Sequence, residues 1–335
     1  SFSGKKEISS IITKFQPDIV HVHNFFPLLS PSIYQAAKEK KVAVVQSLHN
    51  YRLVCPNALL FREGKICEQC VSLGWPWFSL FYACYRKQRI QTLPVFVMLG
   101  WHNLRHTWQK QVDAYIALSS FQKKVLVKGG LPSAKIVVKP NFVYDPGVGS
   151  PQRQNFALYV GRLAPEKGIE LLLQVYQKNS LNLPLKIVGN GPLIETVKEV
   201  AKRLFPIVQF LGEKNKTEVL DLMRQAKVLI LPSIWYECGL PLVFIEALAC
   251  GLPVVAFSPN SFSEYVEKPD AGWLVDSKDQ KSLAQVINAV ANLTEVEMKD
   301  YRERARNAYL KNFTPEKNYQ QLIAVYKKVL SYAKN

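Results

Sequence analysis

The 335-residue chain lacks any long apolar run. A membrane-spanning helix needs about 18 or more consecutive apolar residues, and the longest candidate, Leu93 to Trp101, is shorter and is broken by Pro94 and Gly100. The opening "SFSGKKEISSIITKFQPDIVHVHN" has neither Met nor a charged-then-apolar leader, so no secretory signal is expected in it. Acidic residues are scarce early on. Residues 1–142 hold 19 Lys/Arg against 6 Asp/Glu, whereas residues 143–335 hold 24 against 20. The first stretch therefore carries +13 of a net +17, which suggests an anionic partner: a phosphorylated acceptor, acidic lipid headgroups or nucleic acid. The fraction of charged residues is modest, and 48% apolar against 21% charged residues excludes disorder. The length favours two domains with sizeable cores.

From Phe156 onward, short apolar runs alternate with helical patterns. Strands are expected at 156–160, 184–189, 208–212, 228–232 and 253–257, with helices near 192–204, 216–226 and 241–250. Such alternation indicates a parallel sheet covered on both faces. The first half repeats the theme with strands at 18–23, 42–49, 114–119 and 135–143 around a helix near 29–39. An irregular insertion rich in Trp, Tyr and Cys is expected across roughly 50–110. The Pro/Gly/Asn-rich segment 139–155 reads as the joint between two α/β units. The expected domains are 1–142, 143–313 and a closing helix within 314–335, where Thr314 can cap and Pro315 fits the first turn.

In open parallel sheets, ligands bind beyond the carboxyl ends of the strands. After 156–160 comes "GRLAPEKG", in which Arg162 and Lys167 sit beside Gly161 and Gly168. Cations next to glycines suit a diphosphate, because backbone can approach and both charges can pair with phosphate oxygens. After 184–188 comes "GNGPL", with Gly189 and Gly191. A dinucleotide fingerprint would need a third glycine at position 194, which is Ile194. That disfavours a nicotinamide-dependent oxidoreductase. Glu237 follows the 228–232 strand, and Glu246 is the only charge between Pro241 and Cys250. A helix without a polar face is expected to be buried, so Glu246 needs hydrogen-bond donors. Backbone amides would make it structural; ribose hydroxyls would make it a nucleotide ligand.

Cysteine is sparse, with six residues in all. With no secretory leader, a disulfide framework is not expected. Cys55, Cys67, Cys70 and Cys84 give C-x11-C-x2-C-x13-C, a pattern open to a structural zinc site or to four unlinked thiols.

"YVGRLAPEKGIELLL", "LKIVGNGPL", "VQFLGEKNKTEVLDLMRQAKVLILPS" and "WYECGLPLVFIEALACGLPVV" occur in that order. Together they resemble the nucleotide-sugar-binding domain of the family 4 retaining glycosyltransferases of group 1. "PDIVHVHN", "SLHNYRLVCPN" and "IALSSFQKK…GLPSAKIVVKPNFV" resemble the acceptor domain of the same enzymes. The resemblance implies a GT-B fold, two Rossmann-like parallel-sheet domains with the active site in the cleft between them. It implies that Gly161, Arg162 and Lys167 hold the donor diphosphate and that Gly189, Gly191 and Leu242 line the nucleotide pocket. It also implies that Glu246 binds the ribose, that Glu237 faces the donor sugar, and that His49 reaches the sugar from the first domain. The closing helix would brace the first domain. The family places its two glutamates eight positions apart; here they are nine apart, with Cys238 the extra residue. Such enzymes also begin with a strand, a Gly-rich turn and a helix ahead of the "HVHN" strand, so the resemblance implies a chain truncated at its N-terminus.

The implied activity is transfer of a sugar, with retention, from a nucleotide-diphosphate donor to a glycan or lipid-linked acceptor in cell-surface polysaccharide or glycolipid synthesis. No catalytic metal is implied, since Arg162 and Lys167 serve the phosphates. An inactive nucleotide-binding subunit and a sugar-nucleotide epimerase on a similar fold stand as alternatives. The segment 75–108 mixes aromatics with Arg86, Lys87, Arg89 and Arg105. That mixture suits an anionic bilayer surface on the cytoplasmic side, or a plain packed insertion. No recognised nucleic-acid module is present, so nucleic acid is not an expected partner.

Overall fold

The computed structural model describes residues 2–150, 152–258, 260–267, 270–276 and 279–333. The chain divides into two α/β units: Ser1–Arg62, Ile66–Pro140 and Glu316–Asn335 form the first, and Glu63–Lys65 with Asn141–Pro315 the second.

The first unit carries β1 (Ile19–Val22), β2 (Ala43–Leu48), β5 (Ala114–Ala117) and β6 (Ile136–Val138), with a small hairpin of β3 (Phe61–Arg62) and β4 (Lys65–Ile66) in the insertion. The four main strands are parallel in the order β1-β2-β5-β6. All six residues of β2 are buried, as a strand covered on both faces must be. The final helix, Pro315–Ala333, lays Val325 and Val329 on Ala43, Val45, Ala114 and Ile116 of this sheet. Lys139 and Asn318 tie the two together: Lys139 Nζ donates to Asn318 Oδ1 at 3.0 Å, and Asn318 Nδ2 to the Pro140 carbonyl at 2.6 Å.

The second unit carries β7 (Ala157–Val160), β8 (Leu185–Val188), β9 (Val208–Phe210), β10 (Val228–Leu231), β11 (Val254–Ser258) and β12 (Gly272–Asp276). These six are parallel in the order β12-β11-β10-β7-β8-β9. Alternate residues feed two separate cores, as the pleat requires. Leu158, Leu229, Leu231, Val254 and Ala256 pack on one face, and Ala157, Tyr159, Val228, Ile230 and Val255 on the other. Helix Leu242–Ala249 fills the first core with fully buried Phe244, Ile245 and Leu248, each stabilising by roughly 1.5–3 kcal/mol. Neighbouring helices are capped locally: Asn215 with Glu218 and Thr294 with Glu297 form capping boxes at Lys216–Gln225 and Glu295–Asn312. Strand order reverses between β7 and β10, the place where an open α/β sheet leaves a crevice at its carboxyl edge.

Two features differ from the sequence reading. The insertion is largely helical, with helices Gln69–Leu73, Trp77–Phe81, Arg89–Leu104 and Thr107–Lys110. Arg89–Leu104 continues unbroken past Pro94 and Gly100, and its apolar residues lie on both sides, which hides the helical period. β12 and helices Gln280–Asn292 and Glu295–Asn312 were not anticipated. The run "GWLVD" is short and begins at Gly272, whose φ is +158°, a weak strand signal.

Candidate functional site

The loops after β7, β8 and β10 interlock at the order reversal of the second sheet. Gly168 has φ +68°, and a Cβ built on it would overlap the Pro232 carbonyl oxygen in the loop after β10. Ile234 N–H donates to the Glu166 carbonyl at 3.1 Å across the same seam. Gly189, at φ +148°, lies so close to Gly161 that a Cβ would overlap its carbonyl oxygen. Backbone bonds lock the arrangement, Gly161 N–H to the Val188 carbonyl at 3.1 Å and Leu163 N–H to the Asn190 carbonyl at 2.9 Å. Gly161, Gly189 and Gly191 thus serve loop-to-loop contact, and the same absence of side chains leaves backbone open to a ligand.

Two of the expected residues meet directly. Lys167 Nζ pairs with Glu237 Oε1 at 2.6 Å, and Lys167 lies 5.2 Å over the Trp235 ring. Glu237 is buried and also accepts from Ser233 Oγ at 2.8 Å. Its backbone is held as firmly: Glu237 N–H donates to Asn260 Oδ1 at 3.0 Å, and Ser261 Oγ donates to the Glu237 carbonyl at 2.5 Å. Asn260 Nδ2 in turn donates to the Trp235 carbonyl at 2.9 Å. Cys238 is buried within the same loop. Ser233, Asn260 and Ser261 were missed from sequence. The loop after β11 is another carboxyl-edge loop, and inspecting "NSFSE" there would have flagged them.

Arg162 stands apart from this pair. Its side chain is 67% exposed and touches Glu166 only at 4.0 Å. A guanidinium so placed is open to an incoming anion. Glu246 is less enclosed than expected. It is partly buried and faces Lys216 Nζ at 3.5 Å, at the start of the Asn215-capped helix. Leu242, one helical turn earlier on the same side, is exposed. Of the two glutamates, Glu237 is the more deeply buried. Helix Leu242–Ala249 leaves one narrow open stripe, and Leu242 and Glu246 occupy it.

In the first unit, His49 follows β2 and His23 follows β1. His23 Nδ1 and His49 Nε2 are 2.7 Å apart, so the two rings share one proton. His21 bridges Tyr326 Oη at 2.6 Å and Ser47 Oγ at 2.9 Å, and stacks on His23 with centroids 4.4 Å apart. Burial lowers all three pKa values and Lys139 adds to the effect at each, as neighbouring imidazoles do at His21 and His49; His21 drops to about 4. His49 is therefore a neutral imidazole at pH 7, able to exchange hydrogen bonds with a hydroxyl.

Cys55, Cys67, Cys70 and Cys84 all lie in the insertion as free thiols. Burial first, then the other thiols, raises Cys70 to about 12 and Cys84 to about 11. Among the described residues, no three His, Cys, Asp or Glu side chains converge closely enough to hold a metal ion.

Two parallel-sheet units in one chain, the second with glycine-bearing loops that meet at its order reversal, make a two-unit α/β architecture. Residues 143–308 match the glycosyl transferases group 1 family and residues 1–145 match glycosyltransferase family 4. The chain belongs to these glycosyltransferases. WcaL of Escherichia coli strain K12, a provisionally assigned colanic acid biosynthesis glycosyltransferase, is 28% identical over 218 residues, covering 61% of this chain and 54% of WcaL. O-antigen chain mannosyltransferase B of Escherichia coli is 28% identical over 183 residues, covering 52% of this chain and 46% of that protein. The chain thus spans about half the length of these curated relatives. Among solved structures, Anabaena HepE in complex with UDP has a TM-score of 0.71 at 17% identity, covering 97% of this chain and 82% of HepE. The two share the GT-B fold. No helix among the described residues is long and apolar enough to cross a membrane.

Proposed function

We propose that the protein transfers a sugar from a nucleotide-diphosphate-sugar donor to a glycan or lipid-linked acceptor, in cell-surface polysaccharide or glycolipid synthesis at the cytoplasmic face. The observation that carries this reading is the meeting of Lys167 and Glu237 at the order reversal of the second sheet, with exposed Arg162 in the same loop. HepE was solved with UDP and with UDP-glucose, so uridine diphosphate sugars are the first donors to test.

In this reading the sugar–diphosphate bond breaks as the acceptor oxygen bonds to the same carbon, and the acceptor proton leaves with the diphosphate. Arg162 and Lys167 neutralise that leaving group as charge develops on it, the moment at which fixed cations lower a barrier most. Two cations suffice for this, so no divalent metal is required. Glu246 accepts from the ribose hydroxyls beside Leu242, and Gly189 and Gly191 let the nucleotide approach the backbone. Glu237 orients Lys167 and faces the donor sugar, and His49 is the neutral imidazole that the first unit offers to a sugar hydroxyl. Retention of configuration belongs to this proposal through the family alone. One observation favours a second reading, a nucleotide-binding subunit without turnover: Glu237 already holds Lys167 with no donor needed.

A thermal-shift screen against nucleotide sugars tests the donor. Ligand at about 100 times Kd stabilises the native state by about 2.7 kcal/mol. Glu246→Ala is expected to weaken nucleotide binding by roughly 10- to 100-fold, the loss of one or two hydrogen bonds to a charged group. Unchanged binding with lost folding would make Glu246 structural. Binding without transfer or donor hydrolysis would favour the inactive subunit.

A structural zinc in the insertion is part of the proposal on the C-x11-C-x2-C-x13-C spacing alone; binding it requires the thiols to draw closer together than they stand. A bound zinc stabilises thiolates, reversing the direction in which burial and mutual repulsion push Cys70 and Cys84. Metal analysis of the purified protein is expected to find about one zinc per chain. Zinc-free protein of unchanged stability would leave Cys55, Cys67, Cys70 and Cys84 as packing groups.

A further inference from the structure

Helix Arg89–Leu104 has two apolar faces, and only one of them is covered. Thr92, Val95 and Leu99 are buried, and Gly100 at the margin is closed off by the Trp75 ring. Ile90, Leu93, Val97, Trp101 and Leu104 are each between 49% and 86% exposed. At about 100° per residue these five fall within an arc of roughly 80°, on the side opposite the buried three. A covered face that anchors the helix to its unit explains why the outer face can stay open without the helix melting.

The open row is not isolated. Helix Trp77–Phe81 packs alongside, with the Trp77 and Phe96 rings 5.3 Å apart. Trp77 and Phe81 are 61% and 68% exposed. A groove of about 740 Å³ runs beside the row, lined by Leu93, Pro94, Val97, Met98 and Trp101, with Arg105 also on its wall. Contiguous exposed apolar area of this kind marks a contact surface.

Charge decides what the surface contacts. From Gln69 to Val112 the sequence holds five Lys/Arg (Arg86, Lys87, Arg89, Arg105 and Lys110) and no Asp or Glu. Arg86, Lys87, Arg89 and Arg105 are exposed and flank the two ends of the open row. Arg105 stacks 4.3 Å over the Trp101 ring and Arg86 lies 5.4 Å from the Tyr85 ring centre. A second copy of this chain would bring the same cations face to face, which repels. A nucleic acid would take the cations but gains little from Ile90, Leu93 and Val97, since single strands are held by aromatic stacking. An anionic bilayer satisfies both parts: acyl chains take the aliphatic row, headgroups take the cations, and Trp77 and Trp101 suit the interface between them.

We propose that the open face of helix Arg89–Leu104, with Trp77, Phe81 and the flanking cations, docks the first unit on an anionic lipid surface. The surface belongs to the first unit, and docking through it does not depend on what the donor loops of the second unit bind. Docking by one apolar row and a few cations is reversible, and salt weakens it without abolishing it.

Vesicle flotation tests this with the full chain. Vesicles of phosphatidylcholine and phosphatidylglycerol (3:1) are expected to float the protein, and pure phosphatidylcholine to float it at least tenfold less. Ile90→Ser with Val97→Ser should lower partitioning roughly tenfold or more at unchanged thermal midpoint, because both side chains are already exposed. Arg86→Gln, Lys87→Gln and Arg89→Gln together should remove the preference for anionic vesicles. Val296→Ser, an exposed apolar change in the second unit, should float like the unaltered protein. Failure to float with anionic vesicles at low salt overturns the proposal. So does flotation untouched by the Ile90 and Val97 changes, a concentration-dependent dimer that those changes abolish, or capture of an oligonucleotide in preference to the vesicles.

Discussion

Lys167→Met is expected to lower kcat for sugar transfer by roughly 100- to 1,000-fold, the cost of losing one fixed charge aimed at a developing anion. The same change strands Glu237, which is buried and shares its Oε1 between Lys167 and Ser233. Removing one member of a buried pair leaves the other charge uncompensated. Because Lys167 itself retains some solvent contact, a loss of about 2–3 kcal/mol is expected, toward the lower end for such pairs. The two effects separate in a double variant. Lys167→Met with Glu237→Gln should recover most of the stability, since a neutral amide replaces the stranded carboxylate, while transfer stays low. Steady-state kinetics beside urea unfolding measures both. A Lys167→Met protein whose kcat falls less than about threefold would confine Lys167 to a structural role.

Gly168→Ala is the second large effect, and it acts on the fold. Gly168 combines a left-handed φ of +68° with contact against the Pro232 carbonyl. A methyl group there must push apart the loops after β7 and β10, the seam on which Lys167 and Glu237 meet. Steric overlap with backbone has no flexible side chain to absorb it, so a loss of about 4 kcal/mol or more is expected. For a unit of this size that lowers the melting temperature by roughly 10 °C or more. Gly212→Ala is the control. Its φ is +73°, yet nothing lies within 4 Å of the added carbon, so it should cost only the dihedral term, about 1 kcal/mol. Equal losses at the two positions would show that dihedral strain alone, and not the loop seam, requires Gly168.

Much of the second unit was legible in the sequence because its signals are local. Short apolar runs at 156–160 and 228–232, each with a Gly- or Pro-bearing turn at its end, specify buried parallel strands and the loops that follow them. The rule that ligands bind at those loops then led to Gly161, Arg162, Lys167, Gly189 and Glu237. The insertion was not legible. Its helices carry apolar residues on two faces, so no amphipathic period stands out, and Pro94 and Gly100 read as breakers. The enclosure of Glu246 was overestimated for a related reason. An all-apolar helix surface around Glu246 suggested full enclosure, but enclosure depends on which neighbours cover the open stripe, and Lys216 at 3.5 Å does so only partly.

The amino-acid sequence by itself determined the alternation of strands and helices, the excess of positive charge in the first unit, and the residue types at each loop. These follow from nearest-neighbour sterics, hydrophobic periodicity and composition, all of which act over a few residues. Only the tertiary structure decided that Lys167 and Glu237, 70 residues apart, form one ion pair. It alone hydrogen-bonded His23 to His49 with His21 stacked beside them, and left one apolar row of Arg89–Leu104 facing outward. Those outcomes depend on strand order and helix packing, where side chains distant in sequence compete for the same space, and no local signal encodes the winner.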